Sequence, residues 1–501
     1  MTRMTVNDMQ ISKSDGAVLD ALIVGAGMSG LLAAIRLKQA GFGKLHILEK
    51  SAGLGGTWWS NRYPGCACDI PSHFYSYSFA PNSDWTRAYP QQREILKYFG
   101  RVADRYGLRE HISFGTEVAS AAFDEETGCW TVTDADGTRR RARILIIATG
   151  QLSRPAVPRI EGADSFQGQV FHSAQWDEAY DHAGKKVAVI GNGPSAAQIV
   201  PAIAPEVDEL IVFQRTPNWF YPRGDRPYGR LEKFLFRHLP GYARMHRAFI
   251  YLHRESLYAG FRQGSLAARY LDWTVRRILR RQVADPALRA RLMPDYPPGC
   301  KRIIVSDDYL PTMQRDNVTL VTDRIARITP TGIVTETGAA HDVDLIVYGT
   351  GFRSTEFVAP IEVTGAGGAS LKARWADGAE AYCGTTVADF PNMFILYGPN
   401  TNLGHNSIIF MVEQQVAHMM RLVQVLFRRG LRSVGVRPEA MAVYNDELQV
   451  DLGSSVWKTG CRNWYMTERG KITNNWPHST FAWRKRMRRL ELDDFELVPA
   501  A

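Results

Sequence analysis

The sequence predicts an α/β fold of two Rossmann-like dinucleotide-binding domains with a helical insertion, and three observations predict it. An apolar strand, glycine turn, amphipathic helix and second strand run from Ala21 as ALIVGAGMSGLLAAIRLKQAGFGKLHILEK. The same unit returns at Lys185 as KKVAVIGNGPSAAQIVPAIAPEVDELIVFQRT. From about Tyr221 to Pro298 the pattern turns helical and basic, with no strand periodicity.

A chain of 501 residues exceeds one ordinary core and divides into two or three domains. Apolar content of 45% and charged content of 22% are those of a soluble globular protein. The net charge of +9 is concentrated between Arg223 and Arg291 and in the run Arg484, Lys485, Arg486, Arg488, Arg489. It suits phosphorylated cofactors or a solvated basic face. Without zinc-finger or RRM spacing, it gives no nucleic-acid expectation. The six cysteines are scattered without CxxC spacing, so neither a disulfide framework nor a metal site is expected, and reduced thiols are the default. Residues 1–17 lack the apolar core of a signal peptide, and no apolar run is long enough to span a bilayer. A cytoplasmic protein with no integral membrane segment is the expectation, and its oligomeric state is not legible.

In the first unit Gly25 allows the tight turn, Gly27 lets a pyrophosphate approach the backbone, and Gly30 permits close helix–strand packing. Phosphates then face the free N–H groups of a helix N-terminus. Glu49 ends the second strand 24 residues after Gly25, where a carboxylate accepts from ribose hydroxyls. The loop GGTWWSNRYPGCACDIPSHFYSYSF follows, and its Trp58 and Trp59 suit a cover for a flat ring. Asp69 stands there among apolar and aromatic neighbours; capping a turn is its other reading. Cys66 and Cys68 raise the thought of a redox pair, but their spacing is CxC.

Residues Ile112 to Gly150 read as an antiparallel meander that returns to the parallel sheet through RARILIIATG. QLSRPAVPRIEG is proline-punctuated and reads as a linker. In the second unit Gly191, Gly193 and Ala196 take the three glycine positions, with Ser195 at the helix start. Where the first unit has Glu49, the second has Arg215, again 24 residues after its first glycine. An arginine there pairs with a 2′-phosphate that a carboxylate would repel, which selects NADPH over NADH. A structural salt bridge is the alternative for Arg215.

Asp344 to Gly351, DLIVYGTG, echoes Ile144 to Gly150 and is read as re-entry to the first domain. Lys301 and Arg302 stand at the interdomain crossover, or are plain surface charges. The loop Asn400 to His405 follows a strand and precedes a helix, as a cleft wall does. The Trp- and Gly-rich tail from Val456 folds either as a lid or as a docked structural segment.

Between the two units lies FQGQVFHSAQWD, in which Phe166, Gly168, His172, Trp176 and Asp177 match the fingerprint FxGxxxHxxxW followed by Pro or Asp. With it, the chain resembles the class B flavoprotein monooxygenases, and among them the type I Baeyer–Villiger monooxygenases. The resemblance runs from Leu22 to the Trp-rich tail and includes GGTWWSNRYPGCACD, QRTPNWF, GCKR and YGTGF.

That resemblance implies FAD in the first domain and NADPH in the second. It divides the chain into 1–150 and 346–501 for FAD, 151–220 and 299–345 for NADP, and 221–298 for the insertion. It implies hydride transfer to FAD, oxygen addition at flavin C4a, and attack of the peroxyflavin on a ketone, giving an ester or lactone. Arg302 matches the arginine that stabilises the anions, and Asp69 the carboxylate that positions it. Thr57, Trp58, Asp69 and Tyr75 match FAD contacts, and Lys301, Arg215 and Thr216 match NADP phosphate contacts. Trp464 matches a lid tryptophan over NADP. His172 belongs to the segment that organises the domains, in preference to a general base. The competing readings are an N- or S-oxygenating flavin monooxygenase, an NADPH-dependent flavoprotein reductase, and a non-catalytic nucleotide sensor. The GPNTNLGHNS loop departs from loops of well-known cyclic and aryl ketone enzymes, so ketone size is not legible.

Overall fold

The computed structural model describes residues 18–461 and 463–500; the stretch read for a signal peptide, residues 1–17, lies outside them. Two parallel sheets carry the architecture. In the first, Leu19–Val24 lies between Leu45–Leu48 and Arg139–Ile147, pairing parallel with both in the registers Val24 to Leu48 and Val24 to Ile147. Such a central strand is covered on both faces, and LDALIV accordingly has its last four residues buried. The meander Val118–Asp124, Cys129–Asp134 and Arg139–Ile147 is antiparallel, and the chain returns late to add Met393–Ile395 beside Arg139–Ile147.

The second sheet orders Val318–Val321, Glu209–Phe213, Lys186–Ile190, Leu345–Tyr348 and Gln169–His172, all parallel. Its alternation is clean. Val187, Val189, Leu210, Val212, Leu345 and Val347 join the main core, while Ala188, Ile190, Ile211, Phe213, Ile346 and Tyr348 form a second core with Ile328 and Ile333. The helices Arg230–His238, Tyr242–Ser256, Leu266–Gln282 and Pro286–Leu292 follow, framed by the short parallel pair Phe220–Tyr221 and Ile304–Val305.

Two expectations need correction. Leu345–Tyr348 does not re-enter the first sheet but sits inside the second, between Lys186–Ile190 and Gln169–His172. A boundary between residues 345 and 346 would therefore cut a strand. The echo of Ile144 to Gly150 has a simpler cause: both strands flank the glycine turn of their own unit. A Cβ on Gly25, at φ +106°, would lie 2.6 Å from the Ala148 carbonyl oxygen, and one on Gly191, at φ +105°, 2.6 Å from that of Gly349. The chain crosses back after Gly351, where Pro155 bridges Phe352 and Arg353 N–H donates to the Arg154 carbonyl at 2.9 Å.

The second correction concerns the thiols. Cys300 and Cys461, 161 residues apart, form a disulfide, while Cys66, Cys68, Cys129 and Cys383 are free and buried. Local spacing carries no trace of a bridge that only tertiary folding assembles. The bond ties the tail to the segment bearing Lys301 and Arg302. Closing so long a loop stabilises by about 2–5 kcal/mol. Thiol reductant, or Cys461→Ser, is therefore expected to lower the thermal midpoint by several degrees. A midpoint unchanged by both, read by circular dichroism, would show that the clasp contributes nothing.

Candidate active site

Both glycine turns present an open helix end. Met28–Gln39 starts after Gly27 and Ala196–Ile203 after Ser195, each without a side-chain cap. The first N–H groups of each helix are thus left for a ligand. At the first turn Gly27 and Gly56 face each other backbone to backbone, and a Cβ built on Gly56 would come within 3.1 Å of the Gly27 Cα. Such a cradle is the space a side chain would fill and a pyrophosphate needs. Glu49 is buried and braces the cradle: its carboxylate accepts from Ala26 N–H at 2.7 Å and Ser51 N–H at 2.8 Å. Each oxygen keeps a lone pair for a ribose hydroxyl.

Over the same turn, Trp58 Nε1–H donates to the Tyr75 hydroxyl at 3.0 Å and the rings meet edge to face at 5.6 Å. Thr57 opens the one-turn helix Thr57–Ser60 and is exposed. Glu49, Thr57, Trp58 and Tyr75 therefore gather about the first glycine turn, and these residues fit a flavin dinucleotide.

Arg302 reaches 233 residues back to Asp69, its Nε 3.2 Å from Oδ2 and its Nη2 closer still. Both side chains are about a quarter exposed, 24% for Arg302 and 27% for Asp69. Burial pulls the Asp69 carboxyl up, but Arg302, Arg254 and Arg223 outweigh it and hold the carboxyl below its ordinary range. Asp69 in turn pushes the Arg302 guanidinium up, so Arg302 is a permanent cation.

The sequence reading missed the rest of this shell. Arg254, on the insertion helix Tyr242–Ser256, donates to the Tyr89 hydroxyl at 2.6 Å and stands 3.5 Å from the Asp69 carbonyl. Burial pushes the Tyr465 phenol up to about 12, with Arg302 pulling the other way, so it stays protonated at neutral pH. Tyr397, partly buried nearby, donates to Asn402 Oδ1 at 2.9 Å. Tyr465 had a signal, being the neighbour of Trp464; Arg254 and Tyr397 had none.

At the second turn Arg215, Thr216 and Lys301 line one cavity of about 730 Å³, with Asp295, Tyr296 and the tail residues Thr459 to Cys461. Arg215 makes no ion pair among the described residues, which removes the salt-bridge alternative. Burial and then Arg215 lower the Lys301 pKa, with Asp295 pulling the other way, so two cations are held close together here. Lys301 Nζ lies 4.8 Å over the Tyr296 ring. Asn192 fixes the strand end by donating to the Thr216 carbonyl at 2.9 Å. The residues present fit a phosphorylated dinucleotide. Trp464 packs on Tyr465 at 4.4 Å, and its carbonyl accepts from Ser354 Oγ at 2.7 Å. Trp457 and Trp476 are buried, so this tail is docked.

The fingerprint forms the edge strand Gln169–His172 and the turn after it, with Phe171 against Trp176 at 5.6 Å and Phe166 beside the second core. Gly168 sits where any Cβ would strike the Asp344 carbonyl, and Asp177 accepts from Ala179 N–H at 2.9 Å. His172 Nδ1 accepts from Ala174 N–H at 3.1 Å, which leaves Nε2–H to donate to the Gly351 carbonyl at 3.0 Å. Burial lowers its pKa. A neutral imidazole with both nitrogens engaged is no free base, and it lies at the interdomain crossover.

The depressed Asp69 pKa fixes a sign. The pair stabilises fully above the unfolded carboxylate value of about 3.9 and loses that contribution as pH falls through the lower folded value. Asp69→Asn is expected to cost about 1–3 kcal/mol, less than a fully buried pair because of the exposure. In thermal melts this deficit should hold from about pH 8 to pH 5 and shrink only below about pH 4. A deficit that vanished near neutrality would refute the assignment.

A family model described as pyridine nucleotide-disulphide oxidoreductase matches residues 22–228. A Baeyer–Villiger monooxygenase of Pseudomonas aeruginosa is 42% identical over 478 residues, covering 95% of this chain and 91% of that protein. One of Streptomyces coelicolor is 41% identical over 483 residues, covering 96% and 92%. The crystal structure of OTEMO in complex with FAD and NADP superposes with a TM-score of 0.88 at 30% identity, covering 97% of this chain and all of that one. Identity and coverage of this extent, over the fold and site described, place the chain in the Baeyer–Villiger monooxygenase family.

Proposed function

We propose that this protein is an FAD-dependent, NADPH-using monooxygenase that inserts one atom of O2 next to a ketone carbonyl, giving an ester or lactone. The observation that carries the site assignment is Arg302, a permanent cation fixed by Asp69 where the two nucleotide units meet. When bound, FAD supplies the redox chemistry, taking a hydride from NADPH and activating O2. The chain's own residues bind, orient and compensate charge.

Gly25, Gly27 and Gly30 seat the FAD pyrophosphate, and Glu49 accepts from its ribose. Thr57, Trp58 and Tyr75 wall the flavin. Gly191, Gly193, Ser195 and Ala196 seat the second pyrophosphate, and Arg215, Thr216 and Lys301 hold the 2′-phosphate. Trp464 closes over the nicotinamide nucleotide from the docked tail. Arg302 stabilises negative charge that develops on oxygen during insertion. Asp69 holds that guanidinium in place and lends an anion beside the flavin. The buried loop Asn400 to His405 forms a wall of the ketone site, its Asn400 amide donating to the carbonyls of Ile472 and Asn475 at 2.9 and 3.1 Å. His172 acts as a positioning residue between the domains.

The reductase alternative needs a reactive dithiol. Burial pushes the Cys66 thiol up to about 12 and raises Cys68 as well, so neither forms a thiolate readily.

The test is turnover of a ketone panel with NADPH under 18O2. An ester carrying one labelled oxygen is expected, with Arg215→Ala raising the KM for NADPH about 10- to 100-fold and leaving that for NADH unchanged. Consumption of NADPH with no oxygenated product from any ketone would overturn the reading.

A further inference from the structure

The helical insertion exposes what a soluble surface normally buries. On Tyr242–Ser256, Met245, Phe249 and Leu252 are each more than half exposed, and on Leu266–Gln282 so are Leu266, Tyr270 and Trp273. Both sets follow the spacing i, i+4, i+7, which puts each on one stripe of its helix. The helices are not loosely attached. Arg247, from the other side of the first, donates to the carbonyls of His73 and Ser76 at 2.8 and 3.0 Å.

The charge is as unusual as the apolar exposure. Residues 230–292 hold fourteen Lys and Arg against four Asp and Glu, a net +10 where the whole chain carries +9. The cations lie among the apolar groups: the Arg277 guanidinium stands 5.0 Å over the Trp273 ring. The basic helix Thr480–Arg488 joins the same region, because Phe481 meets Tyr251 edge to face at 5.3 Å.

We propose that this insertion is a docking face for an anionic lipid surface. Apolar stripes flanked by Arg, with Trp and Tyr among them, are the composition that lies in a bilayer interface. Headgroup anions supply the opposite sign. A second copy of the chain would bring +10 against +10, which disfavours self-association through this face. Leucine, methionine and phenylalanine stripes offer nothing to a phosphodiester backbone. The same helix that faces lipid through Phe249 reaches the Asp69 segment through Arg254, so a ketone partitioned into lipid is delivered close to the site. Only that delivery rests on the ketone reading; the docking does not.

The experiment is co-sedimentation of the FAD-loaded, full-length enzyme with vesicles of phosphatidylcholine alone or mixed with phosphatidylglycerol. Binding to the anionic vesicles at low salt is expected to be at least about tenfold tighter, and to weaken as salt screens it. The combined Met245→Ser, Phe249→Ser, Leu252→Ser variant should lose it while keeping its turnover of a water-soluble ketone. Arg280→Glu with Arg281→Glu, which leaves the apolar stripes intact, should weaken it too. Equal binding to both vesicle types, or no binding, would overturn the proposal. So would a wild-type dimer that the triple variant dissolves, or capture by polyglutamate with none by anionic vesicles.

Discussion

The ion pair between Asp69 and Arg302 is the constraint on which the rest of the site depends. A carboxylate on a loop over the first glycine turn and a guanidinium from the segment after the helical insertion come together only when the two nucleotide units are docked. Each charge offsets the cost of partly burying the other, a contribution of about 1–3 kcal/mol. The pair therefore couples assembly of the domains to assembly of the active centre. The elements around it reinforce that coupling. The Cys300–Cys461 bond anchors the tail two residues from Arg302, and His172 fastens the fingerprint strand to the returning crossover at Gly351.

Internal duplication explains how one fold serves two nucleotides. The glycine turns are superimposable in logic, each pressed against the carbonyl of a neighbouring strand that ends in a similar motif. They diverge at the strand end, where Glu49 is tied to the backbone and Arg215 stays free of any ion pair among the described residues. A carboxylate accepts from sugar hydroxyls and an arginine receives a phosphate, so one substitution at one structural position separates the two ligands.

Features built from neighbouring residues were legible in the sequence. Both glycine turns, the meander, the helical insertion and the fingerprint are local patterns whose spacing states their geometry. Asp69 and Arg302 were legible only by resemblance, because nothing within the loop or the segment after the insertion says that residues 233 apart will meet. The disulfide, Arg254 and Tyr397 were not legible at all: each takes its meaning from a partner that tertiary packing supplies. The misread boundary at residue 345 has the opposite origin, a true local echo assigned to the wrong copy.

A double-mutant cycle on ester formation tests the central claim most directly, using Asp69→Ala, Arg302→Ala and the combination. If Asp69 works by holding Arg302, its loss costs activity in the wild-type background and nothing further once Arg302 is gone, so the free energies are strongly non-additive. Additive losses would contradict the account, because they would mean that the two residues contribute separately and that the pair is not the unit on which insertion depends.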